Sequence, residues 1–110
     1  MANRMRNVKD RKTEIKKSYY VYVLLCVDGS YYTGYTNDVV SRFQKHRKGL
    51  GARYTRIRKP ERIVYVEEFS TRAAAVRRER EIKLLSHRQK NRLVSNSPVE
   101  LSRKMNHSDK

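Results

Sequence analysis

Two residues of the stretch SRFQKH, Arg42 and His46, stand four positions apart and close behind a run of tyrosines, YYTGYT at 31–36. On a helix an i, i+4 pair shares one face. Arginine presents a planar fork that fits a phosphate and keeps its charge at neutral pH. Histidine donates to a phosphate or shuttles a proton. The plainer reading of such a pair is a solvated basic face. Tyrosine is a poor base, with an ordinary pKa of about 10. Its phenol nonetheless orients a water, and dense positive charge around it favours deprotonation. Tyr22 and Tyr32 are the phenols of interest among Tyr19, Tyr20, Tyr22, Tyr31, Tyr32 and Tyr35, several of which must serve packing.

A carboxylate completes the set. In a helix through AAVRRE, Glu79 lies on the side of Ala75 and Ile82, while Glu81 projects roughly opposite. An acid on an apolar stripe is costly unless a positive group meets it. Arg78, Lys83 or Arg42 can do so as a salt bridge. Alternatively, Glu79 is a ligand for a single Mg²⁺ or Mn²⁺, with phosphates and waters filling the other octahedral positions.

The elements that must position these groups are legible as patterns. YYVYVLLC, 19–26, is nearly all apolar or aromatic and reads as a strand covered on both sides. Asp28-Gly29 signals a hairpin, with Tyr31–Thr36 as the returning strand. A two-residue loop would put Tyr22 and Tyr32 on opposite faces of the sheet. A three-residue connection with a glycine bulge puts them on the same face, and that register is expected. A helix follows from an Asn37 N-cap, with Asp38 in its first turn, an apolar stripe of Val39, Val40 and Phe43, and a stop at Gly49. Residues 47–60 read as a basic loop closed by Pro60. A third strand spans 62–69. Thr71 caps a long helix to about Leu85, and Ser86 with Gln89 makes a capping box for a last helix towards Val94. The order β-β-α-β-α-α predicts an α+β domain: a small three-stranded antiparallel sheet flanked by helices.

Charge supplies the partner class. The chain of 110 residues carries 27 Lys and Arg against 11 Asp and Glu, a net +16. Residues 1–17 and 96–110 are poor in large apolar side chains and read as flexible tails, the first of them basic. Removing their ten basic and four acidic residues leaves seventeen against seven in 18–95, the expected folded unit. The surplus therefore belongs to that unit, which points to a polyanionic partner. No apolar run approaches the ~20 residues of a membrane span, and the N-terminus lacks a signal-peptide apolar region, so a cytoplasmic protein without membrane contact is expected. Cys26 is alone, which excludes a disulfide framework or a Cys-rich zinc site and suits a buried thiol in a reducing compartment.

These motifs, in this order and spacing, resemble the GIY-YIG nucleases, most closely their small stand-alone single-domain prokaryotic members. YVY at 20–22 stands for the first triplet and YTG at 32–34 for the second; SRFQKH and AAVRRE supply the arginine-and-histidine helix and the glutamate. The match covers about 18–95. Tyr20 and Thr33 depart from the usual triplets, which bears on substrate fit more than on catalysis. The resemblance implies that Tyr22 deprotonates or orients the attacking water and that Tyr32 assists and holds the phosphate. It implies that Arg42 stabilises charge at phosphorus, that His46 supports proton traffic or phosphate binding, and that Glu79 holds one divalent cation. Gly34 would give backbone room beside the substrate.

Lys45, Arg53, Arg56, Arg58 and Lys59 are expected to contact nucleic-acid phosphates, and Tyr54 to stack on an unpaired base. The leading expectation is thus a metal-dependent DNA endonuclease, structure- or damage-directed in repair or recombination. DNA is favoured over RNA, and a protein partner would supply specificity. The alternatives are a non-catalytic DNA- or RNA-binding module on the same fold and a basic ribosome-associated factor.

Overall fold

The structure, a computed structural model, describes residues 17–96 and 105–106. Strand β1 (Tyr19–Cys26) lies at the centre of a three-stranded antiparallel sheet, with β2 (Tyr31–Thr36) on one side and β3 (Pro60–Phe69) on the other. Its apolar sequence fits that place, because both of its faces are covered. Val21 and Val23 point to one face, Tyr22 and Leu24 to the other, and all four are buried.

The hairpin takes the three-residue connection. Cys26 N–H donates to the Ser30 carbonyl, Gly29 N–H donates to the Cys26 carbonyl, and Gly29 has φ of 86°, the left-handed value that glycine tolerates. The Asp28 carboxylate accepts from the Ser30 N–H and hydroxyl and fixes the turn. Leu24 consequently pairs with Tyr32 and Tyr22 with Gly34, so Tyr22 and Tyr32 share a face. Tyr19, Tyr31 and Tyr35 pack against the opposite core.

Helix α1 (Val39–Arg47) packs over the Tyr22 face through Val39, Phe43 and His46, a spacing of four and three. Its N-cap is Asp38, which accepts from Ser41 N–H at 3.1 Å; the expected cap, Asn37, lies one residue outside. Val40 is only half-buried, so the stripe is completed by the histidine instead. Gly49, with φ of 78°, follows the Lys48 C-cap as anticipated.

Residues 47–60 are not a loop throughout. They contain a five-residue helix, α2 (Arg53–Ile57). So short a helix has no readable periodicity and little stability alone; the buried Thr55 ties it to α1.

The other face of the sheet carries α3 (Arg72–Lys83) and α4 (His87–Asn96). Thr71 caps α3 by accepting from Ala74 N–H. Ser86 and Gln89 form the reciprocal capping box that starts α4, each side chain accepting from the other's backbone N–H. The fold is α+β, with an antiparallel sheet between helices. Among the described residues no helix is long and apolar enough to cross a membrane.

Most of the two expected tails lies outside the described residues. Met105 and Asn106 are described, and they are held. Met105 packs on the Tyr22 core, and the Asn106 amide both accepts from Ile63 N–H and donates to its carbonyl along the outer edge of β3. This departs from a tail that is flexible throughout 96–110.

Candidate active site

The Tyr22 face gathers four of the five candidate catalytic side chains. Tyr22 comes from β1, Tyr32 from β2, and Arg42 and His46 from α1. The Tyr22 hydroxyl lies 2.9 Å from His46 Nε2. The Tyr32 ring stands 6.3 Å from that of Tyr22 and 5.0 Å from the imidazole, centroid to centroid. Arg42 places its guanidinium against the Tyr22 hydroxyl, and Glu79, reaching from α3, is near enough for its charge to be felt there.

Gly34 makes this approach possible. A Cβ at that position would stand 2.6 Å from the Tyr22 hydroxyl oxygen, inside van der Waals contact. The glycine of the second triplet is thus a steric requirement of the phenol, and the room it leaves is filled by the protein itself.

The electrostatics correct one expectation. Burial, reinforced by neighbouring Tyr32, pushes the Tyr22 phenol well up, and the opposing pull of Arg42 is too small to reverse this. Tyr22 is a neutral phenol at physiological pH, and the basic surroundings do not ionise it. His46 shifts in the complementary direction. Burial, then the Arg42 charge, lowers it to about 4, so the ring is neutral as well.

His46 is 1% exposed, and both its ring nitrogens are engaged. Nδ1 lies 2.7 Å from Thr55 Oγ1, whose own hydroxyl donates to the Ala52 carbonyl at 2.9 Å. The imidazole therefore has no free nitrogen for a phosphate, and of its two expected roles only proton traffic fits. Neither Thr55 nor Gly51, which borders the ring closely, stood out in the sequence. The signal was faint: a threonine and a glycine inside an otherwise basic segment.

Glu79, the candidate acid, is half of an ion pair. Its carboxylate lies 3.2 Å from Lys83 Nζ, one helical turn on, so one of the alternatives read from sequence is realised. The glutamate side chain is 15% exposed and the lysine 52%. A lysine so exposed gives up its partner at little cost. Among the described residues no three His, Cys, Asp or Glu side chains cluster as a metal cage. The donor set is a single hard carboxylate oxygen beside a basic, phosphate-attracting face. This fits a cation that takes its remaining ligands from substrate phosphate and water.

Outward from Tyr32 the aromatic series continues to Tyr54, 5.9 Å away on α2. One face of Tyr54 is covered by the Arg58 guanidinium, 4.9 Å from the ring centroid, and Arg58 also lies 3.6 Å from the Asp28 carboxylate. A base stacking on Tyr54 must therefore displace Arg58 or share the ring with it. Lys45, Arg53, Arg56 and Lys59 are exposed on α1, on α2 and in the segment that follows it.

Comparison with known proteins adds a family to this geometry. The GIY-YIG catalytic domain matches residues 18–92. A UPF0213 protein of Staphylococcus saprophyticus is 48% identical over 77 residues, spanning 70% of this chain and 94% of that protein. A UPF0213 protein of Staphylococcus aureus is 47% identical over the same length and shares. Among solved structures, the solution NMR structure of a UPF0213 protein from Bacillus halodurans is 47% identical with a TM-score of 0.51, covering 79% of this chain and 93% of that one. A second solution NMR structure, of a protein from E. faecalis, is 42% identical with the same TM-score, covering 73% and 85%.

Proposed function

Because the chain belongs to the GIY-YIG family, we propose that it is a metal-dependent endonuclease that hydrolyses phosphodiester bonds in DNA. The observation that carries this reading is the Tyr22 hydroxyl. It is a neutral phenol bonded to His46, with Tyr32, Arg42 and Glu79 all close enough to perturb it or be perturbed by it.

A phenol this reluctant to ionise does not act as a standing tyrosinate. Tyr22 instead relays. As the water oxygen bonds to phosphorus, the water proton passes to the Tyr22 oxygen while the phenol's own proton passes to His46 Nε2. Neither group need carry charge beforehand. Arg42 offsets the negative charge that builds on the non-bridging oxygens, and Tyr32 orients the phosphate. The 3′ oxygen then leaves and takes a proton from solvent, giving a 5′ phosphate and a 3′ hydroxyl. Glu79 is the residue that would hold a Mg²⁺ or Mn²⁺, and the chemistry such a cation would supply is Lewis acidity towards the phosphate.

Lys45, Arg53, Arg56 and Lys59 supply backbone-phosphate contacts around the site, and Arg58 with Tyr54 forms its outer wall. Such contacts hold DNA without reading its sequence. The substrate is accordingly a structure, such as a flap, nick, junction or damaged end, in repair or recombination, with a partner protein adding any further specificity. The nuclease unit spans 18–95, and a basic segment precedes it.

The deciding experiment offers labelled duplex, flap and branched DNA to the purified chain with Mg²⁺, with Mn²⁺ and with chelator. Cleavage is expected only with metal. Glu79→Ala should lower its rate roughly 100-fold or more, the loss of about 3 kcal/mol of charge stabilisation, while binding persists. Metal-independent cleavage, or full activity in Glu79→Ala, would remove Glu79 from the mechanism. Tight binding with no cleavage of any substrate would leave a binding module on a nuclease fold.

A further inference from the structure

Thr55 and Gly51 border the imidazole at Nδ1, and their geometry bears on which ring nitrogen carries the proton. Thr55 has one hydroxyl proton. Its oxygen lies 2.9 Å from the Ala52 carbonyl, which can only accept and also accepts from the Thr55 and Arg56 N–H groups, so a proton placed there keeps two sets of oxygen lone pairs from facing each other at that distance. Thr55 Oγ1 is left to face His46 Nδ1 at 2.7 Å with lone pairs alone. That contact is a hydrogen bond only if Nδ1 bears a hydrogen. A neutral imidazole protonated at Nδ1 is bare at Nε2, and Nε2 is the nitrogen 2.9 Å from the Tyr22 hydroxyl. Every donor and acceptor in the series is then assigned. Tyr22 donates to His46, His46 to Thr55, and Thr55 to the Ala52 carbonyl.

We propose that Thr55 is a positioning residue that fixes His46 as its Nδ1–H tautomer, so that the Tyr22 proton points into the protein and the phenol oxygen, beside the Arg42 guanidinium, keeps a lone pair for the incoming water. The opposite tautomer would place a hydrogen on Nε2, pointing at Tyr22, and would turn the phenol's proton outward where the water must lose one. With the assigned tautomer the relay balances. Nε2 gains the phenol proton, the phenol oxygen gains the water proton, and the resulting imidazolium finds both N–H groups already facing oxygen acceptors, Tyr22 and Thr55. Gly51 closes the arrangement. Any side chain there would overlap Nδ1, so backbone seals this edge of the ring. The short helix α2 thereby gains a purpose beyond its arginines, since it carries Thr55 to the ring.

The consequence for turnover rests on the nuclease reading; the tautomer does not. In the full chain with ¹⁵N-labelled histidine, imidazole nitrogen spectra are expected to show Nδ1 protonated and Nε2 bare for His46. Thr55→Val keeps the volume and deletes the acceptor, and it should move the proton to Nε2. Thr55→Ser should restore the wild-type pattern. In cleavage assays Thr55→Val should lose roughly 100-fold in kcat with KM for DNA changed by less than about threefold, and Thr55→Ser should recover most of that loss. A wild-type ring protonated at Nε2 overturns the proposal whether or not the valine variant folds. So does a folded valine variant that keeps Nδ1–H or full kcat. If the wild-type chain cleaves no DNA at all, the nuclease reading fails by itself, and the ring spectra still decide what Thr55 does.

Discussion

The pair at the centre of the site is built from two groups whose proton affinities have been pulled apart by the same cause. Tyr22 and His46 are both buried, and burial penalises whichever form is charged, the phenolate in one case and the imidazolium in the other. The shift of His46 has a consequence for stability with a definite sign. In the unfolded chain its ring binds a proton as pH falls through about 6.5, whereas the folded ring resists until about 4. The unfolded state therefore binds more protons within that window, and the fold weakens as pH drops through it, by up to about 3 kcal/mol from this one ring. Urea midpoints at pH 7 and pH 5 should differ in that direction, and His46→Gln should flatten the difference. An NMR titration of His46 with a midpoint near 6.5 would contradict the account and would mean that the ring is wetter than its burial implies.

Among the elements, β2 answers to both faces of the sheet at once. On the site face Gly34 admits the Tyr22 hydroxyl, and a methyl group there would meet it at 2.6 Å. Tyr22 cannot yield easily, because its ring is packed against Leu24, Phe43 and Ile63. Gly34→Ala should therefore cost about 1–3 kcal/mol in stability and abolish cleavage by forcing the hydroxyl off His46; a fully active, equally stable variant would show that the strand can move aside. On the opposite face Thr33 is buried, and its hydroxyl has no hydrogen-bond partner among the described residues. A buried hydroxyl without a partner is destabilising, so Thr33→Val should raise stability by about 1 kcal/mol, read as a higher urea midpoint with unchanged cleavage. The threonine thus occupies an aliphatic position at a cost, which is how it differs from the usual second triplet.

For the whole molecule the governing quantity is charge. With a net +16 spread over the folded unit and beyond it, affinity for DNA should fall steeply with salt, as cations displaced from the duplex return to it. Removing one phosphate contact, by Arg53→Ala or Lys59→Ala, should reduce the slope of log K against log salt by roughly 0.9 and weaken all sequences alike. A slope unchanged by either substitution would place the DNA on another face. The same measurement separates roles, because Arg42→Ala should lose far more in turnover than in this slope.

Much of this was written in the sequence, because it depends on short-range patterns. The apolar run 19–26 fixed a central strand. The caps at Thr71, Ser86 and Gln89 act within four residues, and Asp28-Gly29 marked a hairpin, of whose two registers the structure takes the expected one that turns Tyr22 and Tyr32 to one side. The order of Tyr22, Tyr32, Arg42, His46 and Glu79 carried the resemblance to a nuclease family, and that resemblance implied a phosphodiesterase. What only tertiary structure decided was the state of those groups. Dense basic residues suggested an ionised tyrosine, yet proton affinity follows burial and the contacts within a few ångströms, not net charge along the chain. The helix at 53–57 was illegible because five residues carry no period and it stands by a side-chain bond between Thr55 and His46 on the neighbouring helix. The pinning of Met105 and Asn106 to a strand some forty residues earlier has no local signature either. Side chains announce which chemistry is available; packing sets which proton sits where.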